Sequence, residues 1–262
     1  MNKAVMLGTT TAIGALAILT FGFIAHEPQA AKAETAAEVP GKIDRTEVEG
    51  IVRDYLLKNP ELLIEVQEAL ETKQQEAQRL AHLGVIEGAK DEIFNSTFDG
   101  VIGNPQGKVT IVEFYDYNCG FCKRAMEDMW AVTKQDPDVR FVLKEFPILG
   151  PDSQKASVVS MAFHKLHPEK YGEFHNALLG GEGRATEDAA LKAALSLGAD
   201  EGKLREAMKD PAILEAFSRT YELANKLSIT GTPSYVVGNE VVFGALGQEV
   251  LTQKIAEAKE AL

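Results

Sequence analysis

The spacing of two cysteines constrains this chain more than any other feature. Cys119-Gly120-Phe121-Cys122 holds the only cysteines in the sequence. They closely follow an apolar run, Val109-Thr110-Ile111-Val112-Glu113-Phe114-Tyr115, and precede a helix-like stretch over residues 123–134. C-x-x-C at a strand-to-helix junction reads as a thiol–disulfide redox centre. The unpaired N–H groups and positive dipole end of the helix start stabilise a thiolate at the first cysteine. The thiolate is the species that attacks in disulfide exchange. Two other readings compete. A structural staple closing so short a loop gains only about 2 kcal/mol of chain entropy, against about 3 for a 15-residue loop. A zinc site needs four ligands, so His164 and His167, spaced H-x-x-H on a polar helix-like stretch, would have to complete it.

The N-terminus reads as an export signal. Lys3 is followed by residues 4–25 without a charge, and Ala31-Lys32-Ala33 supplies a cleavage site of A-x-A type. The apolar run approaches bilayer-spanning length, so an uncleaved anchor is the alternative. Both readings orient the remainder outward, into an oxidising, periplasm-like compartment. Without residues 1–33 the chain carries 25 Lys and Arg against 38 Asp and Glu. That acidity argues against nucleic acid as a partner.

Residues 34–45 read as a linker containing Pro40-Gly41. Val48, Ile51, Val52, Tyr55 and Leu56 then recur at helical spacing. Asn59-Pro60 breaks that helix, and Leu62, Leu63, Val66, Ala69, Leu70, Ala77, Leu80 and Ala81 mark a second. Residues 71–79 are almost wholly polar and are expected to form a hinge. A further helical piece is expected over 85–94. The block's apolar stripe has nothing evident to pack on in its own hairpin, so it must meet the main domain or copies of itself. Beyond residue 97 the pattern gives strand, helix and strand, a βαβ unit over 109–146. Helical stretches follow over 153–166, 169–179, 186–197, 200–209 and 211–227. Strands return at 234–237 and 240–243 before a final helix at 248–261.

With these residues in place, the chain resembles the DsbA-type branch of the thioredoxin superfamily. Cys119-x-x-Cys122, the helical insertion and Gly231-Thr232-Pro233 carry that resemblance. The N-terminal helical block before this domain is similar to that of ScsC-like periplasmic proteins, in which such a block makes oligomers. The fold expected is α/β: a thioredoxin fold with an inserted helical domain, preceded by an N-terminal helical oligomerisation segment. The expected boundaries are a signal peptide at 1–33, linker and oligomerisation segment at 34–96, thioredoxin-fold parts at 97–150 and 228–262, and the insertion at 151–227.

The resemblance makes Cys119 the exposed nucleophile and Cys122 the resolving thiol. Thr232 and Pro233 become a cis-proline loop that faces the disulfide and holds substrate backbone. Gly120-Phe121 lacks the Pro-His of strongly oxidising members, which leaves the redox potential open. Glu113 shares a strand face with Val109, Ile111 and Tyr115. A carboxylate in a central strand is costly unless it is paired or functional. Glu113 and Lys144 match the family's acid–base pair beneath the cysteines, which implies a proton relay to Cys122. A surface ion pair of small value is the alternative. Met126, Met129 and Trp130 are read as packing, and His164, His167 and His175 as exposed.

The resulting expectation is a protein thiol–disulfide oxidoreductase, isomerase or oxidase, exported to the periplasm. It needs no cofactor. Its partners would be cysteine-bearing protein substrates and an unidentified membrane redox partner, and it would self-associate, with a trimer favoured. The rival expectation is a soft-metal (copper) binding protein using the two thiolates.

Overall fold

The computed structural model describes residues 44–261. The expected signal peptide, residues 1–33, lies outside them. The chain divides into two units, one ending at Pro60 and the other spanning Glu61–Leu262.

The described part of the first unit is helix α1, Arg45–Lys58, capped by Asp44, whose carboxylate accepts the Thr46 N–H. It buries no residue. Val48, Ile51, Val52, Tyr55, Leu56 and Leu57 all stand exposed.

In the second unit α2 runs unbroken over Leu62–Gly88, followed by α3, Lys90–Phe94. The expected hinge at 71–79 is therefore ordinary helix. Glu, Lys, Gln, Ala and Arg dominate that stretch, and all are good helix formers whatever their polarity. The 85–94 piece is instead split between the end of α2 and α3.

The sheet contains β1 (Gly100–Gly103), β2 (Val109–Tyr115), β3 (Val139–Glu145), β4 (Ser234–Val237) and β5 (Glu240–Phe243). Their order is β1-β3-β2-β4-β5. β2 and β3 are parallel, joined by α4, Gly120–Gln135, and every other pairing is antiparallel. β2 is flanked on both sides and covered on both faces, which explains its near-continuous apolar run. One face, with Ile111, Tyr115, Phe141, Leu143 and Tyr235, packs with α4 and with α10, Gln248–Glu260. The opposite face, with Val112, Phe114, Val142 and Val236, packs with Ile86, Ile93, Leu223 and Leu227.

Five α-helices and a short 3-10 turn at Pro168–Lys170 separate β3 from β4: α5 (Pro151–Leu166), α6 (Tyr171–Leu179), α7 (Glu187–Ser196), α8 (Glu201–Ala207) and α9 (Pro211–Lys226). Thr186, Asp200 and Asp210 cap the last three through side-chain oxygens. The expected 200–209 helix is shorter, ending at Ala207. β1 was not expected at all. It is four residues long and glycine at both ends. A Cβ on Gly100 would sit 1.8 Å from the Tyr171 ring, and Gly103 adopts a φ of +88°.

Candidate active site

Cys119 is the N-cap of α4 and is buried rather than exposed as expected, because the Thr232-Pro233 loop lies over it. Its Sγ accepts the Cys122 N–H at 3.4 Å, and the Lys123 N–H closes the first helical bond to the Cys119 carbonyl at 3.0 Å. The sulfur thus sits where orphan donors and the helix dipole converge. The Cys119 thiol is lowered to about 5. The Cys122 thiol is the largest cause, joined by the Thr232 side chain and the backbone of Cys122 and Phe121, against the opposing effect of burial. Cys122 faces the core and is fully buried, and that burial, then Cys119 and Glu113, pushes its thiol far up. Two sulfurs three residues apart are therefore held in opposite states, one ionised at neutral pH and one neutral.

The Thr232-Pro233 peptide is cis, and the Thr232 carbonyl lies 3.2 Å from the Cys119 Sγ, which donates to it as a thiol. β4 begins at the next residue, so the sheet itself places this loop against the cysteines. Phe121, in the dipeptide between the cysteines, is 58% exposed with the Arg124 guanidinium 4.3 Å from its ring centre.

Glu113 is buried in the middle of β2, directly across from Tyr235 on β4. Burial first, then the charge at Cys119, raises its carboxyl to about 8, while Tyr235 opposes the rise. The charge at Cys119 helps hold Glu113 neutral, and Glu113 in turn raises Cys122, so an ionised Cys119 lies beside two groups that keep their protons near neutral pH.

The expected Glu113–Lys144 pair does not form. In the β2–β3 register Glu113 stands opposite Leu143, and Lys144 opposite Phe114, so the two side chains leave the sheet on opposite faces. Lys144 is buried on the far face, where its Nζ pairs with Asp99 and donates to the Glu92 carbonyl. His175 is not exposed as expected. It is fully buried beside the Tyr115 and Tyr117 rings, and desolvation lowers it to about 3, so it is neutral. His164 and His167 are half-buried. Met126 and Met129 pack in the core, but Trp130 is exposed.

Sequence reasoning missed a second buried acid. Glu145 ends β3 on the same face as Glu113 and opposite Tyr115. Burial raises it to about 8 against the opposing Ser160, Ser157 and Tyr115 hydroxyls. Strand alternation from Phe141 and Leu143 was the signal that could have found it.

Among the described residues, no group of three or more His, Cys, Asp or Glu side chains is placed to hold a metal ion, and no helix is long and apolar enough to cross a membrane.

The DSBA-like thioredoxin domain matches residues 110–256, and the copper resistance protein ScsC N-terminal domain matches residues 44–77. Disulfide bond formation protein D of Bacillus subtilis is 27% identical over 152 residues, which cover 54% of this chain and 68% of that protein. A thioredoxin-like oxidoreductase structure from Silicibacter pomeroyi is 39% identical, with a TM-score of 0.62 over 66% of this chain and 98% of that one. A linker-deletion mutant of ScsC from Proteus mirabilis is 27% identical, with a TM-score of 0.65 over 86% and 100%. A Na+/H+ antiporter of Salinispora arenicola also matches, 26% identical over 182 residues, but those residues span only 28% of that protein's length.

Proposed function

The chain belongs to the DsbA-like thioredoxin domain family and is a thiol–disulfide oxidoreductase; from that premise we propose that Cys119-x-x-Cys122 is its redox centre and that it exchanges disulfides with exported proteins in the periplasm. The observation that carries the reading is the seat of Cys119, its Sγ at the N-cap of α4 accepting the Cys122 N–H and facing the cis Thr232-Pro233 loop, a setting that lowers its thiol while Cys122 behind it is raised.

In the oxidising direction a client thiolate attacks Cys119 Sγ, and the Cys119–Cys122 bond breaks. A mixed disulfide forms, and Cys122 leaves as a thiolate that takes a proton. Glu113, held protonated near neutrality, is the donor. A second client thiolate then releases Cys119 as its stabilised thiolate. In the reverse direction Cys119 attacks a client disulfide and loses its charge, which lets Glu113 release its proton to solvent; the resulting carboxylate accepts the Cys122 proton as Cys122 resolves the mixed disulfide. Thr232 and Pro233 border the sulfur on which a client strand would lie. Lys144, on the far face, takes no part.

The N-terminal helices fit self-association. α1 buries nothing among the described residues, and Leu63, Ile64, Val66 and Leu70 on α2 are exposed as well. A trimer would hold several Cys119 sites around one client and favour isomerisation through effective concentration. Copper resistance appears in the description of the matching N-terminal domain, but residues 44–77 contain no Cys, His or Met, the soft ligands that hold copper. Thiolate metal binding at the cysteines remains the second reading, and metal analysis of the reduced protein checks it.

The test is paired substitution. Cys119→Ser should abolish both insulin reduction and reshuffling of scrambled ribonuclease. Cys122→Ser should accumulate mixed disulfides with clients. Turnover by Cys119→Ser would sink the reading.

A further inference from the structure

The turn that delivers Cys119 to its helix is built on a carboxylate that the exchange chemistry leaves unused. Asp116 follows β2 directly and is fully buried. Its Oδ1 accepts the Asn118 N–H and the Ser153 hydroxyl, both at 2.7 Å, and its Oδ2 accepts the Leu149 N–H at 2.9 Å. Its backbone carbonyl accepts the Cys119 N–H at 3.0 Å. The three donors to this side chain, two backbone N–H groups and one hydroxyl, are neutral, so the carboxylate is held by oriented dipoles. A buried charge is tolerated only when so satisfied.

Asn118 extends the system. Its Oδ1 accepts the Ala185 N–H at 2.8 Å, and its Nδ2 donates to the Ala185 carbonyl at 2.9 Å and to Ser153 Oγ at 3.0 Å. One hydrogen-bonded system therefore joins four segments: the approach to Cys119, the loop after β3, the start of α5 and the loop before α7. Lys123, one residue past Cys122, adds a bond from its Nζ to the Gly181 carbonyl at 2.6 Å. The inserted helices are fastened to the thiol site at its most sensitive point.

We propose that Asp116 is a positioning residue of the thiol centre: its carboxylate fixes the turn that seats Cys119 as the N-cap of α4, and ties that seating to the inserted helices. This rests on the exchange reading above. The donors that hold the Cys119 thiolate are weak, and their effect depends on alignment to within a fraction of an ångström. Loosening the turn costs the thiolate its donors and leaves the oxidised form untouched by that loss. The reduced state is then the one destabilised.

The experiment compares wild type, Asp116→Asn, Ser153→Ala and Lys144→Met, each as the chain from Glu34 to Leu262. Lys144→Met disrupts a buried pair on the far face and serves as the control for lost stability. Thiolate absorbance against pH and the glutathione equilibrium are read on each folded protein. Asp116→Asn should raise the Cys119 midpoint by about one unit and shift the equilibrium about tenfold toward the disulfide. Ser153→Ala removes one donor only, and should shift both the same way by about two- to threefold. Lys144→Met should move neither. Wild-type titration and equilibrium in Ser153→Ala overturn the proposal, whether or not Asp116→Asn folds. So does an equal shift in Lys144→Met. If wild type itself shows only an ordinary thiol titration, the exchange reading fails first and is recognised separately.

Discussion

Glu113 and Glu145 are both raised to about 8 from an ordinary 4.5, chiefly by burial. Between those values the folded chain binds protons that the unfolded chain has released. Each carboxyl therefore contributes stability that is fully present below 4.5 and lost as pH rises to about 8. The slope is about 1.4 kcal/mol per pH unit for each group. Cys119, lowered to about 5, and His175, lowered to about 3, contribute the opposite slope over part of that window, so the decline is read as a difference between proteins: relative to Glu113→Gln, wild type should lose stability in denaturant titrations as pH rises from about 4.5 to about 8. The same variant should slow exchange and keep the fold, because a neutral amide fills the site but cannot give a proton to Cys122. Unchanged exchange rates would deny Glu113 its relay. Lys144→Met should do the reverse, leaving exchange intact while costing about 3–5 kcal/mol through the stranded Asp99. The cysteines and Thr232-Pro233 could be read from the sequence because spacing and neighbours mark them. The Lys144 role could not, since one residue of register decides which face a side chain takes. His175 reads as exposed in the sequence because nothing in α6 reveals that Tyr115 and Tyr117 close over it.

Most elements were legible where periodicity was strong: β2, β3, β4, β5 and α5 to α9 lie within a few residues of their expected places. β1 was not, because its residues are chosen by a neighbour. Tyr171 occupies the space over Gly100, so small size matters there more than strand propensity. Gly100→Ala should accordingly destabilise the protein by about 1–3 kcal/mol, an overpacking cost measurable by thermal or denaturant unfolding. Wild-type stability would mean that Tyr171 moves freely aside. α2 carries a different lesson. A polar stretch without an apolar stripe lacks tertiary partners, yet residues 71–79 keep helical backbone by propensity and by pairs such as Arg79 with Glu76.

At the scale of the whole molecule, the order of strands, cysteines, insertion and Thr-Pro outlined the catalytic fold, whereas the ties between its parts were hidden. Nothing in the sequence joins Asn118 to Ala185, 67 residues later, or Asp116 to Leu149. The N-terminal helices are legible only as an unsatisfied apolar surface. Light scattering on a chain starting at Glu34 and on a chain starting near Asn95 should find the first oligomeric and the second monomeric. Two monomers would remove the support for isomerase activity through several sites. What unites the molecule is a sheet, a helix start and a cis-proline loop that together hold one sulfur ionised beside another kept neutral. Thiolate absorbance of the reduced protein, followed against pH, tests that most directly. A transition at about 5 that disappears in Cys119→Ser is expected. A single transition at about 8.5, the value of an ordinary cysteine, would contradict it.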